Sequence, residues 1–78
     1  MPTIATEGQF RFVVYTRENE FEPPHVHVFV GSEHSCRIEL NNAQFMDQPP
    51  AGYHRRILEA YRKHAEAIRK TWDAIHQR

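Results

Sequence analysis

The sequence predicts an α+β domain in which a three- to four-stranded antiparallel meander packs against one long C-terminal helix. Three observations carry this expectation: two stretches of alternating β-branched and aromatic residues, a glycine-led connection to a third strand, and a long amphipathic repeat beyond a proline break. The 78 residues leave room for one domain, with the sheet over about residues 9–46 and the helix over about 52–77. A core this small typically leaves only a few kcal/mol of stability, so a second copy or another protein is an expected partner.

Gln9 to Thr16 alternates as a strand, turning Phe10, Phe12 and Val14 to one face and Arg11, Val13 and Tyr15 to the other. A charged loop, residues 17–22, leads to Pro23-Pro24, which supply no amide hydrogens, so pairing resumes at His25. His25 to Val30 alternates again, with Val26, Val28 and Val30 on one face and His25, His27 and Phe29 on the other. A three-residue Gly31-Ser32-Glu33 connection sets Val28 opposite Cys36, Val26 opposite Ile38, His27 opposite Arg37 and His25 opposite Glu39. A two-residue Gly31-Ser32 turn would instead mix apolar with polar neighbours on both faces. Phe45 and Met46 form a short fourth strand before Pro49-Pro50-Ala51-Gly52 breaks the chain.

Residues 55–75 are three consecutive heptads, each opening with two basic residues and carrying its acid at the fifth place. Leu58, Tyr61, Ala65, Ile68, Trp72 and Ile75 make one apolar stripe expected to close the core against the sheet. A helix of roughly 35 Å, at 1.5 Å per residue, overhangs short strands, which leaves the turns around Trp72 available to another chain.

Net charge is zero, yet residues 1–51 carry three basic and seven acidic side chains and residues 52–78 the reverse, seven and three. Arg55, Arg56, Arg62, Lys63, Arg69 and Lys70 line one flank of the helix and are candidates for contact with an acidic protein or a nucleic acid. Glu59 and Glu66 precede the second and third pairs at the spacing that favours ion pairs within a helix, so a solvated, salt-bridged face explains much of this stripe. Arg55 and Arg56 have no such acid.

His25 and His27 project to one side of a strand and are candidate metal ligands, with Glu39 across the ladder, His34 near the turn or groups from a second chain as the further ligands, and zinc or another divalent ion is the one cofactor these residues suggest. With Arg37 beside them, the same pair suggests a His-dependent nuclease. The plainer explanation is two half-exposed polar residues bonded to Glu39, backbone or solvent. No phosphate-cradling glycine loop and no serine or cysteine nucleophile with an identifiable base supports catalysis. Tyr15, Phe29 and Val13 share the histidines' face, and so semi-apolar an outer face is a candidate contact surface, unless the Phe21 loop covers it. The single cysteine, Cys36, rules out an intrachain disulfide, and no stretch approaches the roughly 20 apolar residues of a membrane span. The N-terminal residues lack a signal-peptide pattern, so the expectation is a cytoplasmic protein.

Met1-Pro2-Thr3-Ile4, Gly8 ahead of Phe10-Arg11-Phe12, the string Glu22-Pro23-Pro24-His25-Val26-His27-Val28 and a tryptophan late in the helix together resemble the small prokaryotic family catalogued as domain of unknown function 4160. The resemblance spans nearly the whole chain and implies the same fold. It further implies a small protein of bacteria or their mobile elements, in a regulatory, inhibitory or toxin–antitoxin-like system. The combined expectation is a non-catalytic protein-binding module, with a nucleic-acid-binding regulator and a His- or metal-dependent nuclease as alternatives.

Overall fold

The computed structural model describes residues 3–15 and 23–75, so the expected 17–22 loop, Phe21 included, and the helix beyond Ile75 lie outside the described residues. Five antiparallel strands form one sheet in the order of the chain: β1 (Thr3–Glu7), β2 (Phe10–Val13), β3 (His25–Val30), β4 (Glu33–Glu39) and β5 (Gln44–Phe45). One helix, α1 (His54–Ile75), follows. The α+β arrangement is the expected one, with the sheet gaining β1 on its N-terminal side.

Two hairpins turn on glycines. Glu7 pairs with Phe10 and Val30 with Glu33, so Gly8-Gln9 and Gly31-Ser32 are two-residue turns. Their first residues have φ of 60° and 64°, the left-handed region that a II′ turn needs and that glycine reaches without a steric cost. The expected three-residue connection is thereby corrected. Its register nevertheless holds beyond the turn, with Val28 opposite Cys36, Val26 opposite Ile38, His27 opposite Arg37 and His25 opposite Glu39. A β-bulge reconciles the two: Phe29 pairs with His34 and Val28 with Cys36, which leaves Ser35 as the extra residue. The two-residue turn itself sets His34 opposite Phe29 on the outer face, and the bulge returns Cys36 and Ile38 to the apolar one.

Phe10, Phe12, Val14, Val26, Val28, Cys36 and Ile38 of the inner face meet Ile57, Ala60, Tyr61, Ile68 and Trp72 of α1 in one buried core. The stripe on α1 differs from expectation at its N-terminal end, where Ile57 is fully buried and Leu58 only partly so. An ordinary α-helix advances 3.6 residues per turn, so over the expected heptads the buried line drifts from Leu58 to Ile57. Ala65 and Ile75 sit at the margin as partly buried neighbours.

The helix begins late relative to the expected 52 because Gly52, at φ 84°, completes a turn in which the Tyr53 amide donates to the Pro50 carbonyl at 3.1 Å. The Tyr53 carbonyl then accepts from the Ile57 amide at 2.9 Å, opening the helical ladder. No helix is long and apolar enough to cross a membrane among the described residues.

Candidate functional site

A row of rings runs from Trp72 of the core to the outer face of the sheet. Trp72 reaches His25 with ring centroids 5.4 Å apart, His25 lies 5.1 Å from His27, and Tyr15 meets His27 edge-on at 4.6 Å. His27 continues to His34 at 5.2 Å, and His34 to Phe29 at 5.3 Å. The Arg11 guanidinium lies over Phe29, 4.8 Å from its centroid. Strand alternation puts His27 and Phe29 on this face, and the two-residue Gly31-Ser32 turn adds His34 opposite Phe29.

The two ends of the row differ. His25 is buried, with 1% of its surface exposed, and its Nδ1–H donates to the Pro23 carbonyl at 2.8 Å, so the proline pair that delays the strand also fixes this ring. His34 is exposed, and its Nε2 stands 3.0 Å from Nδ1 of the half-buried His27. One nitrogen of that contact donates and the other accepts, so a single proton lies between the two rings. Val13, opposite His27, is buried as well although it faces outward.

Beside the histidines, Arg37 binds Asp47 in a fork, Nε to Oδ2 at 2.8 Å and Nη2 to Oδ1 at 3.1 Å. These hydrogen bonds hold the Asp47 carboxyl below its ordinary value, and the charge of Arg37 adds to the effect. Asp47 was not among the residues suggested by sequence; it follows β5 in a stretch with weak periodicity, and only folding brings it to β4. Cys36 points to the core, where burial first and Asp47 second push its thiol up to about 11, leaving it protonated and unsuited to metal. No three His, Cys, Asp or Glu side chains converge on one metal position among the described residues. His25, His27 and Glu39 are therefore neighbours in register without forming a three-ligand set.

The basic flank of α1 is partly engaged within the fold. Lys63 and His64 both reach Glu7 of β1, at 3.3 and 3.0 Å. The His64 hydrogen bond and then that of Lys63 lower the Glu7 carboxyl below its usual range. Arg69 donates to Asn41 at 2.9 Å and pairs with Asp73 at 3.2 Å, so its acid follows it where Glu66 was expected to serve. Arg56 lies over the rings of Tyr53 and Phe10, at 5.2 and 5.8 Å. Arg55, Arg62 and Lys70 are exposed, with no carboxylate at ion-pair distance among the described residues. A groove of about 500 Å³ between the β1–β2 turn and α1 is bordered by Glu7, Glu59, Arg56 and Lys63, a balance of charge that favours neither sign of ligand.

No curated protein and no solved structure matches this chain. A family match covers residues 10–73, from the start of β2 nearly to the end of α1, and so takes in the Pro-Pro-His-Val-His-Val string, the Ser35 bulge, Asp47 and Trp72. The chain belongs to the family described as Domain of unknown function (DUF4160).

Proposed function

We propose that this domain is a non-catalytic protein-binding module, acting in the cytoplasm within a regulatory or inhibitory system of toxin–antitoxin-like type, and that its partner docks on the outer face of the sheet. One observation carries the reading: the continuous row of Tyr15, His27, His34 and Phe29 on a face that a small two-layer domain ordinarily keeps polar. Rigid rings beside an arginine are the composition of interface hot spots. Arg11 stacks on Phe29, and its buried Nε has no hydrogen-bond partner among the described residues. A partner presenting apolar side chains bordered by carboxylates suits this chemistry. The regulatory setting rests on the family resemblance alone.

Two features favour this reading over its alternatives. A nucleic-acid stripe along α1 would keep Arg55, Arg62 and Lys70, while Lys63 and Arg69 are bound to groups of the domain itself. A His25–His27 acid–base pair for phosphate cleavage needs both imidazoles within reach of the scissile bond, whereas His25 is buried with its Nδ1 bonded to the Pro23 carbonyl.

The test is reconstitution. A protein captured from the source cell's lysate is identified, purified and mixed with the full chain, and the mixture is measured by multi-angle light scattering with cellular RNA present. A stoichiometric hetero-complex with the RNA left intact supports the reading. Shortened RNA, or self-association with no second protein, overturns it.

A further inference from the structure

We infer that His27 Nδ1 and His34 Nε2 form a two-imidazole site for a divalent transition metal, copper(II) or nickel(II) before zinc, on the outer face of the sheet. This inference concerns the chain alone and stands or falls independently of the docking partner. Two nitrogens bound to one ion at 2.0–2.1 Å are roughly 2.9–3.4 Å apart across angles of 90–110°. The two imidazole nitrogens stand 3.0 Å apart. A small turn of the exposed His34 ring redirects both lone pairs from each other to a shared ion.

Both rings are braced in place. Tyr15 packs edge-on against His27 at an interplanar angle of 83°, and Phe29 against His34 at 84°. Preorganisation of this kind lowers the ordering cost of chelation. The site also lies beside a carboxylate: Asp47 is close enough to feel the charge of both rings, while Arg37 occupies its two oxygens. Asp47 thus acts as a nearby counter-charge rather than a ligand, which agrees with the absence of a third converging ligand among the described residues. Two protein nitrogens leave the other coordination positions to water. Imidazole ligands of this kind select copper, nickel and zinc over calcium and magnesium, and the affinity order places copper first. The two-residue Gly31-Ser32 turn is what creates the pair, because it sets His34 opposite Phe29 on this face, while the Ser35 bulge keeps His27 opposite Arg37 and Cys36 in the core.

The experiment is titration calorimetry of the purified, chelator-treated full chain with copper(II), nickel(II) and magnesium chlorides. Ring-proton NMR follows the six histidines during substoichiometric copper addition. The expected result is one equivalent of copper and of nickel, no magnesium, and selective broadening of the His27 and His34 signals. His34→Gln, at an exposed position that leaves the core intact, should weaken copper binding at least tenfold, and His27→Gln should do the same. Absence of one-equivalent uptake overturns the site. Unchanged affinity in His34→Gln, or broadening first at His54 or His64, overturns it as well. If His27→Gln fails to fold, His34→Gln and the NMR decide.

Discussion

Replacing Ile57 and Leu58 by alanine, one at a time, tests where the helix meets the sheet. Ile57 is fully buried within the core, whereas the adjacent Leu58 lies at its margin. Truncating a fully buried isoleucine typically costs about 2–5 kcal/mol, the lost transfer energy plus the cavity left behind. A half-buried leucine loses about half of that transfer energy and leaves an opening that water can fill, so Leu58→Ala should cost roughly 1 kcal/mol. A domain of this size has a total stability of roughly 4–12 kcal/mol, so Ile57→Ala removes a large share of it. Urea unfolding followed by Trp72 fluorescence and far-ultraviolet circular dichroism reads both variants. With an m-value of about 1 kcal/mol/M, the Ile57→Ala midpoint should fall by about 2 M or more and the Leu58→Ala midpoint by about 1 M. Equal losses, or a larger loss at Leu58, would refute the drift of the buried line and restore the strict heptad stripe.

Four further outcomes are expected. Gly31 has a φ of 64° with nothing within 4 Å of where a Cβ would stand, so Gly31→Ala meets backbone strain alone and should cost about 1 kcal/mol; Ala43, at φ 58°, is the converse, and Ala43→Gly should leave stability equal or raise it by up to about 1 kcal/mol. Asp47 has a folded-state pKa below its ordinary 3.8, so its contribution is fully present above that value and disappears as pH falls through the lower folded one. The stability gap between the wild type and Asp47→Asn, about 0.5–1 kcal/mol for a partly exposed pair, should therefore be flat at neutral pH and close in acid; a gap that persists at pH 2 contradicts the ion pair. Cys36, buried with its thiol pushed up to about 11, should resist iodoacetamide at pH 8 in the native state and react at once in urea, and fast native labelling would place it elsewhere.

Much of the inner face was legible because alternation is a strong local signal. Phe10, Phe12 and Val14, and again Val26, Val28 and Val30, declare their side by period alone, and the pairing of Val28 with Cys36 follows from matching apolar to apolar. β1 was not legible, since Thr3 to Glu7 offers Ile4 as its one large apolar residue and gains its strand conformation by pairing with β2. The bulge escaped for a different reason. A two-residue turn and a core-facing Cys36 conflict within a regular ladder, and only an extra residue, Ser35, satisfies both. The two-residue turn gives His34 to the outer face, where the expected three-residue connection would have set it opposite Val30, so His34 stood out beside the histidine pair while its contact with His27 did not follow from the expected register. Asp47 reaches Arg37 across ten positions of irregular chain, a contact that no periodicity announces.

In the proposed function the ring-lined outer face, and not the basic flank of the helix, holds the protein partner. Titration calorimetry of the reconstituted complex with Phe29→Ala and with Arg62→Ala tests it most directly. Phe29 sits between Arg11 and His34 on the outer face, and Arg62 is an exposed cation of α1. The expected result is at least a tenfold weaker affinity for Phe29→Ala and little change for Arg62→Ala. Unchanged binding by Phe29→Ala together with a loss in Arg62→Ala would contradict it and move the function to the helix.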